Sequence, residues 1–521
     1  MTSFRQALDH VVVVIFENRS FDNVLGRLYT PEEKPGFEGV LGKDLRNPAP
    51  GWAEHPAPNG WVVYGEADNM DTPNPDPGEE YPHTNTQLYN VLDDHNRGKD
   101  AEEMEPPYNA PPPGTVPSMD GFVTDYISTL TYELGRQPTY DEYKQIMTGY
   151  RPDQVPVLNG LARGFGVFDH WFCEVPSQTL PNRSFWTAAT SSGLTVNRKL
   201  TNFMRHNDAE TIFNRLEAHG RSWKVYVLEA VPVSLTGMIH MPRLWEHFAT
   251  HFVPYSEFER DCAAGTLPDL SLIEPNLMVG HADYHPAFGR ALWSGVEVPV
   301  DPPSSILAGE AFLARLYHAL RSAPTAGSGS TVYNTSFLIG WDEPGGTYDH
   351  VAPPAADAPN PGAPPGQLGF RFDRSGYRVP AVLVSPWVEP GSLWTEEYRH
   401  TSLIATLRSV WDLGDPFTRR DAAARSLEGL FSRTEPRPPD EWPTVNPLPV
   451  PAFQMAHVSA GHALGGLGRQ LCHALFEHEH EHRAVLEDGA PASNLPEVSP
   501  ALALDIAGRI GRSLFPRLAA A

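Results

Sequence analysis

The sequence predicts an α/β fold built on a mainly parallel β-sheet with helices packed against it and Pro-rich loop insertions. The first observation is a β-branched run at residues 10–16 (HVVVVIF), the composition of a strand buried on both faces of a parallel sheet. The second is the recurrence of similar apolar runs, at 335–340 and 380–385 and more weakly at 222–228 and 270–273. The third is helical spacing between such runs, as at 309–320 and 403–413. Strands that alternate with helices over this length favour a parallel sheet.

The chain of 521 residues is predicted to hold one elaborated catalytic domain, residues 1–414, and a C-terminal extension, residues 415–521. The extension is Pro-rich at first and then helical, ending in an apolar helix near 501–519. Residues 30–118 are rich in Pro, Gly, Asn and Asp, too long for an ordinary connection and too polar for a core. We therefore predict a loop-rich insertion over the active face, with a second loop at 352–366.

The charge balance excludes some classes of partner. There are 39 Lys and Arg against 64 Asp and Glu, a formal net charge of −25, which disfavours binding to nucleic acid or to an anionic membrane.

No run of 18 or more apolar residues appears, so no integral membrane segment is expected. The first apolar run is too short for a signal-peptide core, and three cysteines form no disulfide framework. The expected location is the cytoplasm.

Two pairs of polar residues stand at the carboxyl ends of predicted strands, where ligands bind in folds of this class. Glu17 and Asn18 follow the first run, and Asp342 and Glu343 follow the run at 335–340. Carboxylate and amide oxygens suit a hard divalent cation. The residues alone leave a second interpretation open, in which Glu17 pairs with Arg19, Asn18 caps a turn and the later pair is a solvated acidic turn.

A hydroxyl nucleophile is predicted at Thr179. In residues 177–183 (SQTLPNR) the proline suits the first turn of a helix, so Thr179 stands at a helix N-terminus, which offers free N–H groups to a phosphate. A metal-bound hydroxyl there is able to act as nucleophile, whereas the alternative is simple N-capping. Asn182 and Arg183 either contact the phosphate or fix the helix start, with Arg183 equally suited to a salt bridge.

Several of the 21 histidines stand near polar motifs and are candidates for protonating a leaving oxygen or contacting a phosphoryl group: His83, His281, His285 and His350. Any one of them is also a candidate structural histidine. The tail run from Cys472 to His482 alternates His with Glu, a pattern that favours a solvated helix over a metal cluster.

Together these segments resemble the bacterial and plant phosphoesterase family that includes non-specific phospholipases C and related acid phosphatases. The matching strings occur in the family's order over about residues 8–414. They are 17–22 (ENRSFD), 119–123 (MDGFV), 179–183 (TLPNR), 283–286 (DYHP), 342–350 (DEPGGTYDH), 377–380 (YRVP) with 385–387 (SPW), and 400–402 (HTS).

The resemblance implies an alkaline-phosphatase-like core and one divalent metal ion. The implied metal ligands are Glu17, Asn18, Thr179, Asp342 and Glu343, with Thr179 also the nucleophile. His285 and His350 are then catalytic contacts, and His83, Asn182 and Arg183 bind the substrate. Calcium, magnesium, manganese and zinc all fit these ligand types.

The implied substrate is a phosphate ester, and a phospholipid is one candidate for it. Phospholipase C activity through a phospho-enzyme leads, and an acid phosphatase acting on monoesters is the alternative. Phe122, Tyr126, Trp171 and Phe172 either line a lipid groove or belong to the core. A silent phospholigand-binding protein also stays open, because a motif does not establish turnover. A sulfatase lacks support, since position 179 holds neither Cys nor Ser.

Overall fold

The computed structural model describes residues 6–228, 231–277, 281–287, 290–293, 296–299, 305–450, 474–475, 477–478 and 500–518. The strands are β1 His10–Phe16, β2 Arg46–Pro48, β3 Trp61–Val63, β4 Gly65–Glu66, β5 Thr148–Gly149, β6 Gly166–Phe168, β7 Trp171–Phe172, β8 Trp223–Val227, β9 Phe252–Pro254, β10 Leu270–Glu274, β11 Arg290–Trp293, β12 Val296–Pro299, β13 Thr335–Trp341, β14 Ala381–Val384, β15 Ser392–Trp394 and β16 Tyr398–Arg399.

The helices are α1 Phe21–Val24, α2 Tyr81–Tyr89, α3 Phe122–Leu134, α4 Tyr140–Tyr143, α5 Pro156–Gly164, α6 Thr179–Ala188, α7 Leu200–His206, α8 Ile212–Ala218, α9 Leu235–Ile239, α10 Met241–Leu244, α11 Tyr255–Ala264, α12 Ser305–Arg321, α13 Thr401–Val410, α14 Arg419–Ala423 and α15 Pro500–Leu514. Short 3₁₀ turns lie at Pro58–Gly60, Ala101–Glu103, Lys144–Met147, Trp245–His247, Gln367–Gly369, Glu428–Leu430 and Pro439–Glu441.

The predicted mainly parallel sheet is confirmed. Eight strands form it in the order β15-β6-β14-β13-β1-β10-β8-β9, and only the two neighbouring pairs that involve β14 are antiparallel. Helix α5 packs on β6 and β14, and α11 packs on β8 and β9. All five apolar runs named from the sequence are strands of this sheet.

Strand β1 lies at the centre of the sheet and positions the candidate site. Its valines are buried, as expected for a strand that is covered on both faces. It pairs in parallel with β10 on one side and with β13 on the other, where Phe16 lies opposite Trp341. Residues 17–18 and 342–343 therefore leave neighbouring strands at the same edge of the sheet.

Strand β14 departs from the parallel arrangement of its neighbours in the sheet. Because β14 runs antiparallel to β13, residues 385–387 lie at the opposite edge of the sheet from Asp342. The Ser336 hydroxyl, at the start of β13, donates a hydrogen bond to the Ser385 hydroxyl at 3.1 Å. An apolar run reports burial but carries no information on strand direction.

The interpretation of residues 30–118 as too polar for a core was also wrong. Helix α2 is buried over almost its whole length. Val62 and Leu88 belong to a second hydrophobic cluster with Phe122, Tyr126 and their neighbours. The insertion has its own packed interior, because widely spaced apolar residues converge on helix α3.

Residues after 414 pack on the core. Arg420 is buried and its Nη1 donates to Glu174 Oε2 at 2.6 Å, while the Phe515 ring stacks on Phe248 with centroids 4.3 Å apart. The division of the chain at residue 414 stays a prediction. The predicted tail helix falls on α15, but the His/Glu run lies outside the described residues except at 474–475 and 477–478. Among the described helices, none is long and apolar enough to cross a bilayer.

Candidate active site

Four carboxylates, which we call the acidic cluster, gather at the carboxyl edge of the sheet: the buried Glu17, Asp342 and Glu343, and the partly buried Glu79. Glu17 leaves β1 directly, and the Asp342 N–H donates to Phe16 O at 3.0 Å, which continues the pairing of β1 with β13. The turn after Glu343 is tight. Gly345 has a φ of 60°, and a Cβ there would lie 2.4 Å from Asn18 O. Glycine is required there because the positive φ and the close approach to Asn18 leave no room for a side chain.

Burial without enough positive charge raises the pKa values of this cluster. The pKa of Asp342 is raised to about 6 by burial, although Arg183 opposes the shift. Burial and the neighbouring Glu79 carboxyl raise the pKa of Glu343 well above its usual range. Burial likewise raises the pKa of Glu17. The protein thus holds several mutually repelling acids in one place, which favours a cation between them.

Glu79 is the member of the cluster that the sequence did not reveal. Its carboxylate accepts hydrogen bonds from Asn18 Nδ2 and, at 3.2 Å, from Gln178 Nε2. Burial, and then Glu80, raise its pKa to about 7. The sequence signal that could have identified Glu79 is its position four residues before His83, in the insertion expected over the active face.

The orphaned atoms of the site fit a hard cation. Within the described residues, no donor makes a hydrogen bond to Glu17 Oε1, Asn18 Oδ1 or Glu343 Oε1, although all three atoms are buried. A buried oxygen that accepts no hydrogen bond is costly, and three of them on ligand residues predicted from sequence, with only Arg183 at 3.3 Å from that of Glu17, make a set of donors for one ion. These residues therefore fit the divalent metal that the family resemblance implies.

Thr179 is the first residue of α6, and its side chain is buried. Gln178, the preceding residue, contacts Glu79, and Arg183 contacts both Asp342 and Glu17. Residues 179 and 183 are four apart on a helix and so share one face. The positive end of the helix dipole lies at Thr179, although the Leu180 N–H already donates to Asn197 Oδ1 at 2.8 Å.

Asn182 is occupied in fixing the entry to that helix. Its Oδ1 accepts from the N–H groups of Glu174 and Val175, at 3.0 and 2.9 Å. Its Nδ2 donates to the carbonyls of Val175, Ser177 and Gln178 at 2.8–3.0 Å. Of the two roles that the sequence left open for Asn182, these contacts favour holding the loop over binding a substrate.

Arg183 is a structural cation of the site. Its Nε donates to Asp342 Oδ2 at 3.0 Å, its Nη2 donates to Ile15 O at 2.9 Å, and Nη2 lies 3.3 Å from Glu17 Oε1. The neighbouring carboxylates raise the pKa of the guanidinium despite its burial. The salt-bridge alternative is the one that the structure favours, since the side chain is already engaged by three oxygens.

His285 joins the site as a neutral imidazole. Its Nδ1 lies 2.7 Å from Pro286 O and its Nε2 lies 2.9 Å from Asn18 Nδ2. The ring therefore donates to the carbonyl and accepts from the amide. Burial lowers its pKa to about 4. The adjacent Asp283 carboxylate accepts from the His285 N–H at 3.0 Å and from the His281 ring at 2.8 Å, and Glu17 N–H donates to Asp283 O at 2.9 Å.

His83 is the cationic imidazole of this region. Asp125 Oδ1 lies 2.9 Å from its Nδ1, and Glu80 Oε2 lies 3.9 Å from its Nε2. Although burial opposes the charged form, these carboxylates raise its pKa to about 9. The ring stands close to Gly78, next to Glu79. His83 is thus protonated at neutral pH beside the acidic cluster.

His350 lies in a separate group of charges. Its Nδ1 is 2.6 Å from Asp22 Oδ2 and its Nε2 is 2.9 Å from Glu38 Oε1. Asp22, Asp349 and His350 are close enough to hold an ion, but the buried Arg378 donates to both aspartates at 2.8 and 2.9 Å. Among the described residues His350 contacts Asp22 and Glu38 and not the acidic cluster, and its catalytic role stays a prediction.

His400 was named from the sequence only within the matching string 400–402, yet it supports the site. Its Nε2 donates to Asp342 O at 2.6 Å, and its Nδ1 accepts from Trp171 Nε1 at 3.1 Å. Its ring stacks on Trp186 at 4.5 Å. Burial lowers its pKa to about 4, so the ring stays neutral and helps to hold the backbone of Asp342 in position.

Comparisons with known proteins identify the family of this chain. A sequence model of the Phosphoesterase family matches residues 8–414. Non-specific phospholipase C3 of Arabidopsis thaliana is 31% identical over 440 residues, 82% of this chain and 74% of the relative. Non-specific phospholipase C6 of the same plant is 32% identical over 455 residues, 84% and 75%. Phospholipase C A of Mycobacterium tuberculosis (strain H37Rv) is 25% identical over 343 residues, 59% and 61%. With its match over most of the chain and its site at the matched strings, this protein belongs to the Phosphoesterase family.

Proposed function

We propose that this protein is a metal-dependent phospholipase C in which Thr179 is the nucleophile. Family membership makes the chain a hydrolase acting on phosphoric esters. The names of the Arabidopsis relatives favour phospholipids as substrates. The observation that carries the proposal is the set of buried oxygens on Glu17, Asn18 and Glu343 that accept no hydrogen bond within the described residues, in a cluster that Arg183 joins to the helix beginning at Thr179.

A divalent ion would be held by Glu17, Asn18, Asp342 and Glu343, with the Thr179 hydroxyl beside them. When bound, such an ion lowers the pKa of a hydroxyl and polarises phosphoryl oxygens. Arg183 and His400 keep Asp342 in place for this role through the contacts at 3.0 and 2.6 Å. Calcium, magnesium, manganese and zinc all remain candidates.

The chemistry proceeds in two displacements. The Thr179 oxygen forms a bond to phosphorus while the bond from phosphorus to the diacylglycerol oxygen breaks. The hydroxyl proton passes to the acidic cluster, where Glu79, with a pKa of about 7, is suited to act as a base. Water then displaces the Thr179 oxygen, which releases the phosphorylated headgroup and restores the hydroxyl.

Positive charge for the phosphoryl group comes from two protein sources. The first is the positive end of the α6 dipole at Thr179, where the Leu180 N–H already donates to Asn197 Oδ1 at 2.8 Å. The His83 imidazolium contributes a full charge at neutral pH and a proton for the departing alcohol oxygen. Neutral His285 orients the Asn18 amide, so its part is positioning.

The lipid substrate requires an apolar approach that the four aromatic residues named from the sequence do not supply. Phe122, Tyr126 and Trp171 are fully buried and Phe172 nearly so, and they belong to the hydrophobic interior. The acyl chains would therefore stay outside, with the headgroup reaching Thr179.

The test measures hydrolysis of phosphatidylcholine and of an aryl phosphate by the full-length protein, before and after chelation, in wild type, Thr179→Ala and Thr179→Ser. We expect phosphatidylcholine turnover that chelation removes and a divalent ion restores. Thr179→Ala should lose at least about 10³-fold, and Thr179→Ser, which keeps a hydroxyl, should retain measurable activity.

Normal turnover by Thr179→Ala would refute the nucleophile. Turnover that survives complete removal of metal would refute the metal site. Preference for the aryl phosphate over the lipid would replace the phospholipase by an acid phosphatase that uses the same residues. Absence of turnover on both substrates with all four ions would point to a phospholigand-binding protein.

A further inference from the structure

A second group of metal-type side chains lies at the other edge of the sheet. Glu217 is in the last turn of α8, His247 ends a 3₁₀ turn and His251 stands just before β9. One ligand atom from each lies within 4.8 Å of the other two. The three surround Trp223, the first residue of β8, whereas the acidic cluster follows the last residues of β1 and β13.

The local backbone brings the two imidazoles to the same side. The His251 N–H donates to His247 O at 3.0 Å, which closes one turn between them. Their ring centroids are 5.0 Å apart, and the Trp223 ring stacks on His251 at 4.1 Å. Two histidines four residues apart in such a turn present their nitrogens to one point.

Hydrogen bonds from neighbouring residues orient the side chains of Glu217 and His251. Glu217 Oε1 accepts from Trp223 Nε1 at 2.7 Å and lies 3.1 Å from His251 Nε2. The Thr250 hydroxyl lies 2.8 Å from His251 Nδ1. A hydrogen bond on Nδ1 leaves Nε2 as the nitrogen that faces the carboxylate, and such bonds orient histidines that bind metals.

We propose that Glu217, His247 and His251 bind a second divalent transition ion of the zinc type. Two imidazole nitrogens and one carboxylate oxygen are a common zinc set, whereas the acidic cluster offers oxygens alone. The Glu217 side chain is 41% exposed, so the ion has a route from solvent and water completes its coordination. This assignment does not depend on the proposed phospholipase activity.

The ion would clamp the C-terminal segment onto the sheet edge. Phe515 stacks on Phe248, inside the turn between the two histidines, and contacts Phe252 at 5.4 Å. Arg517 Nη1 donates to Thr250 O at 2.7 Å, and its Nη2 pairs with Glu257. Zinc on the two histidines would therefore fix the turn against which residues 515–517 pack.

The test is titration of the full-length, chelator-stripped protein with Zn²⁺ by calorimetry. The variants are His247→Ala with His251→Ala, and Glu217→Gln. His219→Ala is the matched control, because His219 is an exposed histidine just after α8 that lies outside the group. The histidines of the tail are the same in every protein, so differences report on this group alone.

We expect the double variant to bind one zinc equivalent fewer than wild type, Glu217→Gln to bind that equivalent at least about tenfold more weakly, and His219→Ala to match wild type. Zinc should also slow proteolytic release of the C-terminal segment in wild type and not in the double variant. Equal zinc stoichiometry in wild type and double variant would overturn the proposal. Should the double variant not fold, unchanged zinc affinity in Glu217→Gln would overturn it instead.

Discussion

Replacing Glu79 by Gln should stabilise the metal-free protein at alkaline pH. Burial and the neighbouring Glu80 raise the pKa of Glu79 from 4.5 to about 7 in the folded protein. A raised carboxyl pKa means that folding favours the protonated form, so the folded state loses stability as pH rises from the unfolded value through about 7. The amide side chain introduced by Glu79→Gln would remove this penalty because it does not ionise.

The size of the effect follows from the shift. Each pKa unit corresponds to about 1.4 kcal/mol, so the carboxylate costs about 3 kcal/mol above pH 8 and almost nothing near pH 4. The side chain is only 15% exposed, so solvent screening reduces this figure little. For a domain of roughly 400 residues, with about 2.1 cal/mol/K of unfolding entropy per residue, 3 kcal/mol is about 4 °C in Tm.

The assay is thermal unfolding in excess chelator at pH 5 and pH 8, for wild type, Glu79→Gln and Glu66→Gln. Glu66 is a half-exposed carboxylate in a surface ion pair with Arg151, so its variant should shift Tm little at either pH. A saturating divalent ion should reduce or reverse the increase in Tm of Glu79→Gln over wild type, because the ion binds a carboxylate more strongly than an amide. An equal shift at both pH values, or a lower Tm at pH 8, would refute the electrostatic account of the cluster.

Three further substitutions test other parts of the site. Arg183→Met should lower the free energy of unfolding by about 3–5 kcal/mol in chelator, because Asp342 and Glu17 lose their buried counter-charge. Denaturant unfolding measures this difference, and a difference near zero would contradict the prediction. His83→Ala should lower kcat/KM at pH 7. The wild-type rate should fall as pH rises through about 9, because the His83 imidazolium loses its proton there. A wild-type rate that stays constant over pH 8–10 would remove His83 from phosphate binding. His350→Ala should change kcat by less than about tenfold with catalytic metal bound, whereas a loss of 10³-fold would restore its catalytic role.

The sequence predicted the centre of the fold well because burial on both faces of a strand leaves a direct mark. The β-branched run before Glu17 and the run before Asp342 became neighbouring parallel strands, so the rule on carboxyl ends brought both pairs of polar residues together. The order and direction of the strands left no such mark, which is why the antiparallel direction of β14 was not foreseen.

The parts of the site that were not foreseen depend on contacts between distant residues. Glu79 meets Asn18 from 61 positions away, through the folding of an insertion whose apolar residues are too scattered to show a period. His400 reaches the Asp342 carbonyl from a helix start whose capping pattern describes only its own backbone. A histidine near an acidic motif also has several carboxylates as possible hydrogen-bond partners. His350 pairs with Asp22 and Glu38 and not with the acidic cluster.

The charge of the site links metal binding to substrate binding. A chain with a net charge of −25 repels phosphate esters, and the acidic cluster adds four carboxylates at the place where the phosphoryl group must lie. Arg183 contacts Glu17 and Asp342, whereas the His83 imidazolium is already paired with Asp125, so a divalent ion would supply positive charge that the cluster lacks. Removing the ion should therefore weaken binding of a phosphate ester as well as abolish its hydrolysis. Calorimetric titration of Thr179→Ala with a soluble phosphate ester, with and without metal, separates the two, because this variant binds without turnover. Equal affinity in both states would mean that the ion serves the chemical step alone.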